Sequence, residues 1–106
     1  MNKKKLEPIE EIQTLRVIAP DIYQIITSEL EKQNIHSYDV QINAIKKEQG
    51  LQIILLFGEN FTHKKEQFFT HEAIKNFSDE IIAFAKETGE SCKEVMISEY
   101  FKMMRP

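Results

Sequence analysis

The stretch Tyr38-Asp39-Val40-Gln41-Ile42-Asn43-Ala44, followed beyond Lys47-Glu48-Gln49-Gly50 by Leu51-Gln52-Ile53-Ile54-Leu55-Leu56-Phe57, decides the fold. In its first part apolar and polar residues alternate with a period of two, the pattern of a strand with one buried and one wet face. The second part is apolar on both faces: Leu51, Ile53, Leu55 and Phe57 on one, Ile54 and Leu56 on the other. Such a strand belongs at the centre of a sheet, or needs the first helix or a partner chain over its second face. Lys47-Glu48-Gln49-Gly50 supplies the turn between them, with Gly50 suited to a positive φ, so the two strands form a hairpin. A lone hairpin is marginal in water. The sheet therefore needs an extension, and Phe61 to Phe69 offers one. There Glu66-Gln67-Phe68-Phe69 reads as a short third strand or as a loop with two anchoring aromatics, with Gly58 and Asn60 marking a bulge or turn before it.

Outward from the hairpin the period changes to that of helices. Upstream, Ile9, Ile12, Leu15 and Ile18 recur at steps of three, and Pro8 suits a first helical turn, which predicts a helix from Pro8 to Ile18. Pro20 disfavours helix at Ala19 but opens a second helix, whose stripe is Ile22, Ile25, Ile26 and Leu30 and whose end is near Asn34. Downstream, Thr70 caps a helix with the stripe Ile74, Phe77, Ile81, Phe84 and Ala85, ended by Gly89 as a C′ residue. Ser91-Cys92-Lys93-Glu94 then fits a capping box for a last helix to Met104. The order is α-α-β-β-(β)-α-α, an α+β domain with helices packed on one face of a small antiparallel sheet.

A chain of 106 residues makes one domain, read here as 1–106 with residues 1–7 disordered. Three Gly and three Pro are too few for a turn-rich barrel or sandwich, and one Cys excludes a disulfide scaffold. The net charge of −3 supplies no excess of cations for nonspecific binding to nucleic acid or an anionic bilayer. Lys3-Lys4-Lys5 is followed by Glu7, Glu10 and Glu11 rather than an apolar run, so it does not read as an export signal. The longest apolar run, Ile53 to Phe57, is far below the roughly 20 residues that span a bilayer. A cytoplasmic location is expected, in keeping with an unpaired Cys92.

No catalytic, cofactor or metal motif is assigned. His71-Glu72-Ala73-Ile74-Lys75 resembles the zinc-protease helix motif, but Lys75 stands where the second histidine is required. A metal site from His63, His71, Glu59 or Glu72 would need these scattered residues to converge. Three isolated glycines make neither a phosphate loop nor a nucleophile elbow, and Glu10-Glu11 and Asp79-Glu80 fall on helix surfaces. Cys92, placed by the capping box in a first helical turn beside Lys93, is a candidate reactive thiol, set against the reading of a small buried hydrophobe. Lys46-Lys47 and Lys64-Lys65 are the basic pairs of a nucleic-acid alternative. With a third strand, the order from Pro20 to Gly89 is similar to that of the double-stranded-RNA-binding domain. The likeness is of topology alone, and Thr70-His71-Glu72-Ala73 puts an acid where that family grips phosphate.

The last helix carries the clearest sign of a contact surface. At 100° per residue, Cys92, Met96, Ile97, Tyr100, Phe101, Met103 and Met104 take up roughly half its circumference, wider than one core-facing stripe. Met96, Ile97, Tyr100, Phe101 and Met104 are the candidate interface. The expectation is a non-enzymatic protein that acts through protein contacts, most simply as a homodimer. The alternatives are a nucleic-acid-associated module using the lysine pairs and a thiol-based sensor or enzyme at Cys92.

Overall fold

Four antiparallel strands form one open sheet in the order β1-β2-β3-β4 in a computed structural model that describes residues 11–104. The strands are β1 (Ile12–Thr14), β2 (Val40–Lys47), β3 (Gly50–Phe57) and β4 (His63–Thr70), and the helices are α1 (Leu15–Ile18), α2 (Pro20–Glu31), α3 (His71–Lys75) and α4 (Asp79–Met104). The chain is an α+β domain, as the alternation in β2 and the helical stripes predict.

The hairpin is where the sequence places it. Val40, Ile42 and Ala44 are buried, and β3 lies between β2 and β4 with Leu51, Ile53, Leu55 and Phe57 in the core. Its other side chains join the outer face, where Ile54 sits between Asn43 and Glu66 in the register and is 7% exposed. Being internal in the sheet thus accounts for the apolar character of both faces of β3. The uncertain stretch resolves as a strand. All eight residues of β4 pair with β3, which sends Phe69 into the core and Phe68, on the opposite parity, outward.

Several expectations are corrected. The first helix is only α1, because Ile12, Gln13 and Thr14 pair with Ile45, Ala44 and Asn43 instead. Two β-branched residues beside an open sheet edge gain more from the ladder than from a helical turn. The start of that helix at Pro8 and the disorder of residues 1–7 lie outside the described residues. Tyr38 is not on a strand face: His36 N–H donates to Asp39 Oδ2 and Asp39 N–H to the His36 carbonyl, closing a turn over Ser37–Asp39 that leaves Tyr38 exposed. Gly50 has no positive φ. It is the first residue of β3, and a Cβ there would overlap the Phe69 carbonyl and sit 2.8 Å from the Phe68 ring.

The helices divide differently too. Thr70 caps α3, its Oγ accepting from the Ala73 N–H at 3.1 Å, but α3 stops after five residues and Phe77, at φ 50°, turns outward rather than into the core. Ser78 restarts the chain as α4, accepting from the Glu80 N–H at 3.0 Å. From there α4 runs unbroken for 26 residues through Gly89, so neither a helix end at Gly89 nor a capping box at Ser91 exists. The core joins these elements: Leu15, Ile22, Ile26 and Leu30 from the first helices meet the inner faces of β2 and β3 and, from α4, Ile81, Phe84, Ala85 and Cys92.

Candidate interaction surface

A helix of 26 residues is about 39 Å long at 1.5 Å per residue, whereas an eight-residue strand spans about 26 Å. α4 lies along β4: Phe84 meets Phe69 edge-on with ring centroids 5.6 Å apart, and Val95 and Ser98 share a cleft with His63 at the other end of the strand. The residues after Glu99 therefore project beyond the sheet.

The rotation of α4 divides the wide apolar arc in two. Ile81, Phe84, Ala85, Thr88 and Cys92 are buried at steps of three and four, continued by the half-buried Val95, Met96 and Glu99. Ile97, Tyr100 and Phe101 lie on the opposite side and are 53%, 58% and 62% exposed. Tyr100 and Phe101 pack edge to face with centroids 5.9 Å apart. Of the candidate interface residues, Met96 thus turns inward and Ile97, Tyr100 and Phe101 turn outward, while the Met104 side chain lies outside the described residues. Positions 97, 100, 101 and 104 follow the i, i+3, i+4, i+7 spacing of a helix that anchors in a groove.

On the inward side, the same end of α4 meets the turn between β3 and β4. Gly58 at φ 82° is followed by Asn60 and Phe61 at 58° and 54°, three left-handed residues that bend the chain back toward α4. Glu99 Oε2 accepts from the Glu59 N–H at 2.8 Å and ties the turn to the helix. A cleft of about 370 Å³ results, lined by Asp39, Gly58, Glu59, Met96, Glu99 and Lys102. A smaller one of about 270 Å³ shares Glu59, Glu99 and Lys102 and adds Glu94 and His63. The Glu59–Glu99 link spans 40 positions, and no local pattern announces it.

The other candidates do not converge. His63 stacks on Phe57 with centroids 5.6 Å apart, while His71, at the far end of β4, places Nε2 3.0 Å from the Glu48 carbonyl. A whole strand, roughly 25 Å, separates them. Among the described residues no group of three His, Cys, Asp or Glu side chains is arranged to hold a metal ion. Each lysine pair divides between the two faces of the sheet, since strand neighbours alternate. The pairs also sit at opposite ends, Lys47 opposite Gly50 and Lys64 opposite Leu56, so they form no common patch. Lys64 bridges Glu66 at 3.2 Å, and the Glu66 carboxyl is held below its ordinary value by a hydrogen bond from Gln52 and then by Lys64.

Cys92 is buried in the middle of α4, not in a first turn, and its thiol donates to Met96 Sδ at 3.6 Å. The amides that would have stabilised a thiolate are spent within the helix. Burial pushes the thiol up to about 11, with the Asp39 and Glu99 carboxylates adding to the rise, so Cys92 is protonated at neutral pH. The low-pKa premise of the thiol alternative is overturned with the capping box on which it stood.

Comparison with protein-family models, curated proteins and solved structures finds no match for this chain. Among the described residues no helix is long and apolar enough to cross a membrane.

Proposed function

We propose that this protein is a docking module that works through protein contacts, with the distal part of α4 as its binding element. The observation that carries this reading is the position of Ile97, Tyr100 and Phe101, three large apolar side chains more than half exposed on a helix that outruns its own sheet. Isolated exposed apolar residues are ordinary, but a contiguous patch with helical spacing is the usual mark of a contact site. A second copy of the chain is the simplest occupant. With a whole aromatic side chain at 150–250 Å², the exposed parts of these three residues come to roughly 350 Å² per chain. A stable interface needs about 800 Å² per partner, so two tips alone make a weak, reversible pair.

Sedimentation equilibrium over a wide concentration range tests the assignment, with Tyr100→Glu/Phe101→Glu run beside the parent. Association at high concentration that the double substitution removes supports the stripe as the binding element. Association unchanged in the variant places the element elsewhere and defeats the reading, and a strict monomer throughout removes the second copy as occupant.

A further inference from the structure

We infer that this protein binds a small organic carboxylate at the step in the sheet where β1 ends and β2 continues, a site separate from the α4 stripe. The step follows from the strand lengths. β1 has three residues against eight in β2, and its last, Thr14, stands opposite Asn43. There the chain leaves the sheet for α1, so Val40, Gln41 and Ile42 have no strand beside them on that side. Among the described residues no backbone hydrogen bond outside the ladder reaches these three. Alternate residues of a strand aim both N–H and C=O to the same side, so at least one of them presents its pair at the open edge. A cleft of about 370 Å³ lies at this step, lined by Thr14, Arg16, Tyr23, Gln41, Ile42 and Asn43.

The lining selects the charge and the size of the ligand. Among the described residues Arg16 is its cation and no carboxylate joins it, in contrast to the two clefts beside α4. A guanidinium presents a planar fork that holds a carboxylate by two parallel hydrogen bonds, and one fork balances one negative charge. A phosphate dianion would be left half neutralised. The groups around Arg16 are neutral and polar: Ile42 and Ala44 are buried in the core, so Gln41 and Asn43 point to the outer face about 7 Å apart, with Thr14 beside Asn43. The side chains of Thr14, Arg16, Gln41 and Asn43 hold no hydrogen bond or ion pair among the described residues, so a ligand replaces water there and breaks no bond within the protein. Tyr23, half-buried against the core, adds an apolar wall. Three residues of open edge give a peptide strand little to pair with, and the volume is at the lower end for small-molecule pockets. The ligand is therefore a small acid, with its carboxylate on Arg16 and its body against Tyr23.

The test titrates the isotope-labelled full chain with benzoate and, separately, with benzamide, its neutral isostere, and follows the backbone amides and the Arg16 Nε–H by NMR. Benzoate is expected to shift Arg16 Nε–H and the amides of Thr14, Gln41, Ile42 and Asn43 along a saturable curve in the millimolar range, as suits so small a probe. Benzamide should bind at least ~10-fold more weakly, because it cannot form the charge-assisted pair. Arg16→Gln, at an exposed position whose own spectrum reports whether the fold is kept, should weaken benzoate by at least ~10-fold and leave benzamide unchanged. Gln41→Ala/Asn43→Ala, which leaves Arg16 in place, should weaken benzoate by a few-fold and serves as the check if Arg16→Gln does not fold. Three results would overturn the inference: no saturable shift with benzoate, an equal response to benzamide, or shifts centred away from these residues. Benzoate binding that survives Arg16→Gln, or the amide double substitution where that is the variant that folds, would overturn it too.

Discussion

Replacing Gly89 by Ala separates two accounts of the last 26 residues of the described chain. If Gly89 ends a helix as a left-handed C′ residue, alanine there costs energy, because a Cβ at positive φ is strained. In the structure Gly89 is an interior residue of α4, where glycine is the poorest choice but proline, and alanine is favoured by about 1 kcal/mol. Against that gain stands Gln33, just beyond the end of α2. A Cβ on Gly89 would collide with its amide nitrogen and approach Cδ to 2.9 Å, displacing the side chain from the hydrogen bond that Nε2 donates to the Lys86 carbonyl at 3.2 Å. That bond is exposed and contributes at most about 0.5–1.5 kcal/mol. The two effects nearly cancel, so Gly89→Ala alone should shift stability by less than ~1 kcal/mol. In a Gln33→Ala background the collision is gone, and the same substitution should stabilise by about 1 kcal/mol. The four chains of the cycle, unfolded in urea and fitted to a two-state transition, measure this coupling directly. If Gly89→Ala destabilises by more than ~1 kcal/mol even without the Gln33 amide, the left-handed cap is restored and the continuous helix is refuted.

Three further outcomes follow from the geometry. Phe69→Ala should cost about 3–5 kcal/mol because the ring is buried against Phe84, while Phe68→Ala, on the outer face, should cost under ~1 kcal/mol; the reverse order in urea unfolding would mean a one-residue slip of β4. The Cys92 thiol has an ordinary value of 9.0 when unfolded and about 11 when folded, so the native state holds the extra proton between these values. Its stabilising contribution is complete below pH 9 and is lost as pH rises through 11, so the stability of Cys92→Ala should fall less steeply over that window than that of the parent. Glu66 has the opposite sign: its carboxyl, held below 4.5 chiefly by Gln52, should titrate low by NMR and move back up in Gln52→Ala. A Glu66 midpoint indifferent to Gln52 would discard the hydrogen bond at 3.0 Å as its cause.

The elements that were readable are those whose residues satisfy one local rule that no distant partner contradicts. Val40, Ile42 and Ala44 alternate because one sheet face is buried, and Thr70 precedes a helix because its hydroxyl reaches the Ala73 amide. The readings that failed met a second, non-local force. Ile12 and Thr14 fit a helical stripe and also a strand edge, and only the presence of β2 beside them decides. Gly89 reads as a stop because glycine is costly in a helix, yet the helix continues and its bare Cα leaves room for Gln33, 56 positions away. The apolar arc of the last helix was visible as an excess, but its division into an inward side with Cys92 and Met96 and an outward side with Ile97, Tyr100 and Phe101 needed the rotation that Ile81, Ala85 and Thr88 impose from the sheet.

By itself, then, the sequence determined the class: an α+β domain built on an internal apolar strand, without the glycine loops, histidine pairs or cysteine pairs that common enzyme motifs require. Periodicity and composition are enough for that, because burial of one face acts on every residue of a strand or helix in turn. Tertiary structure alone decided that the final helix is continuous, that it outruns β4, and that Glu59 and Glu99 meet beside its exposed end. These facts depend on pairs of residues brought together by long-range packing, and no single segment carries that information.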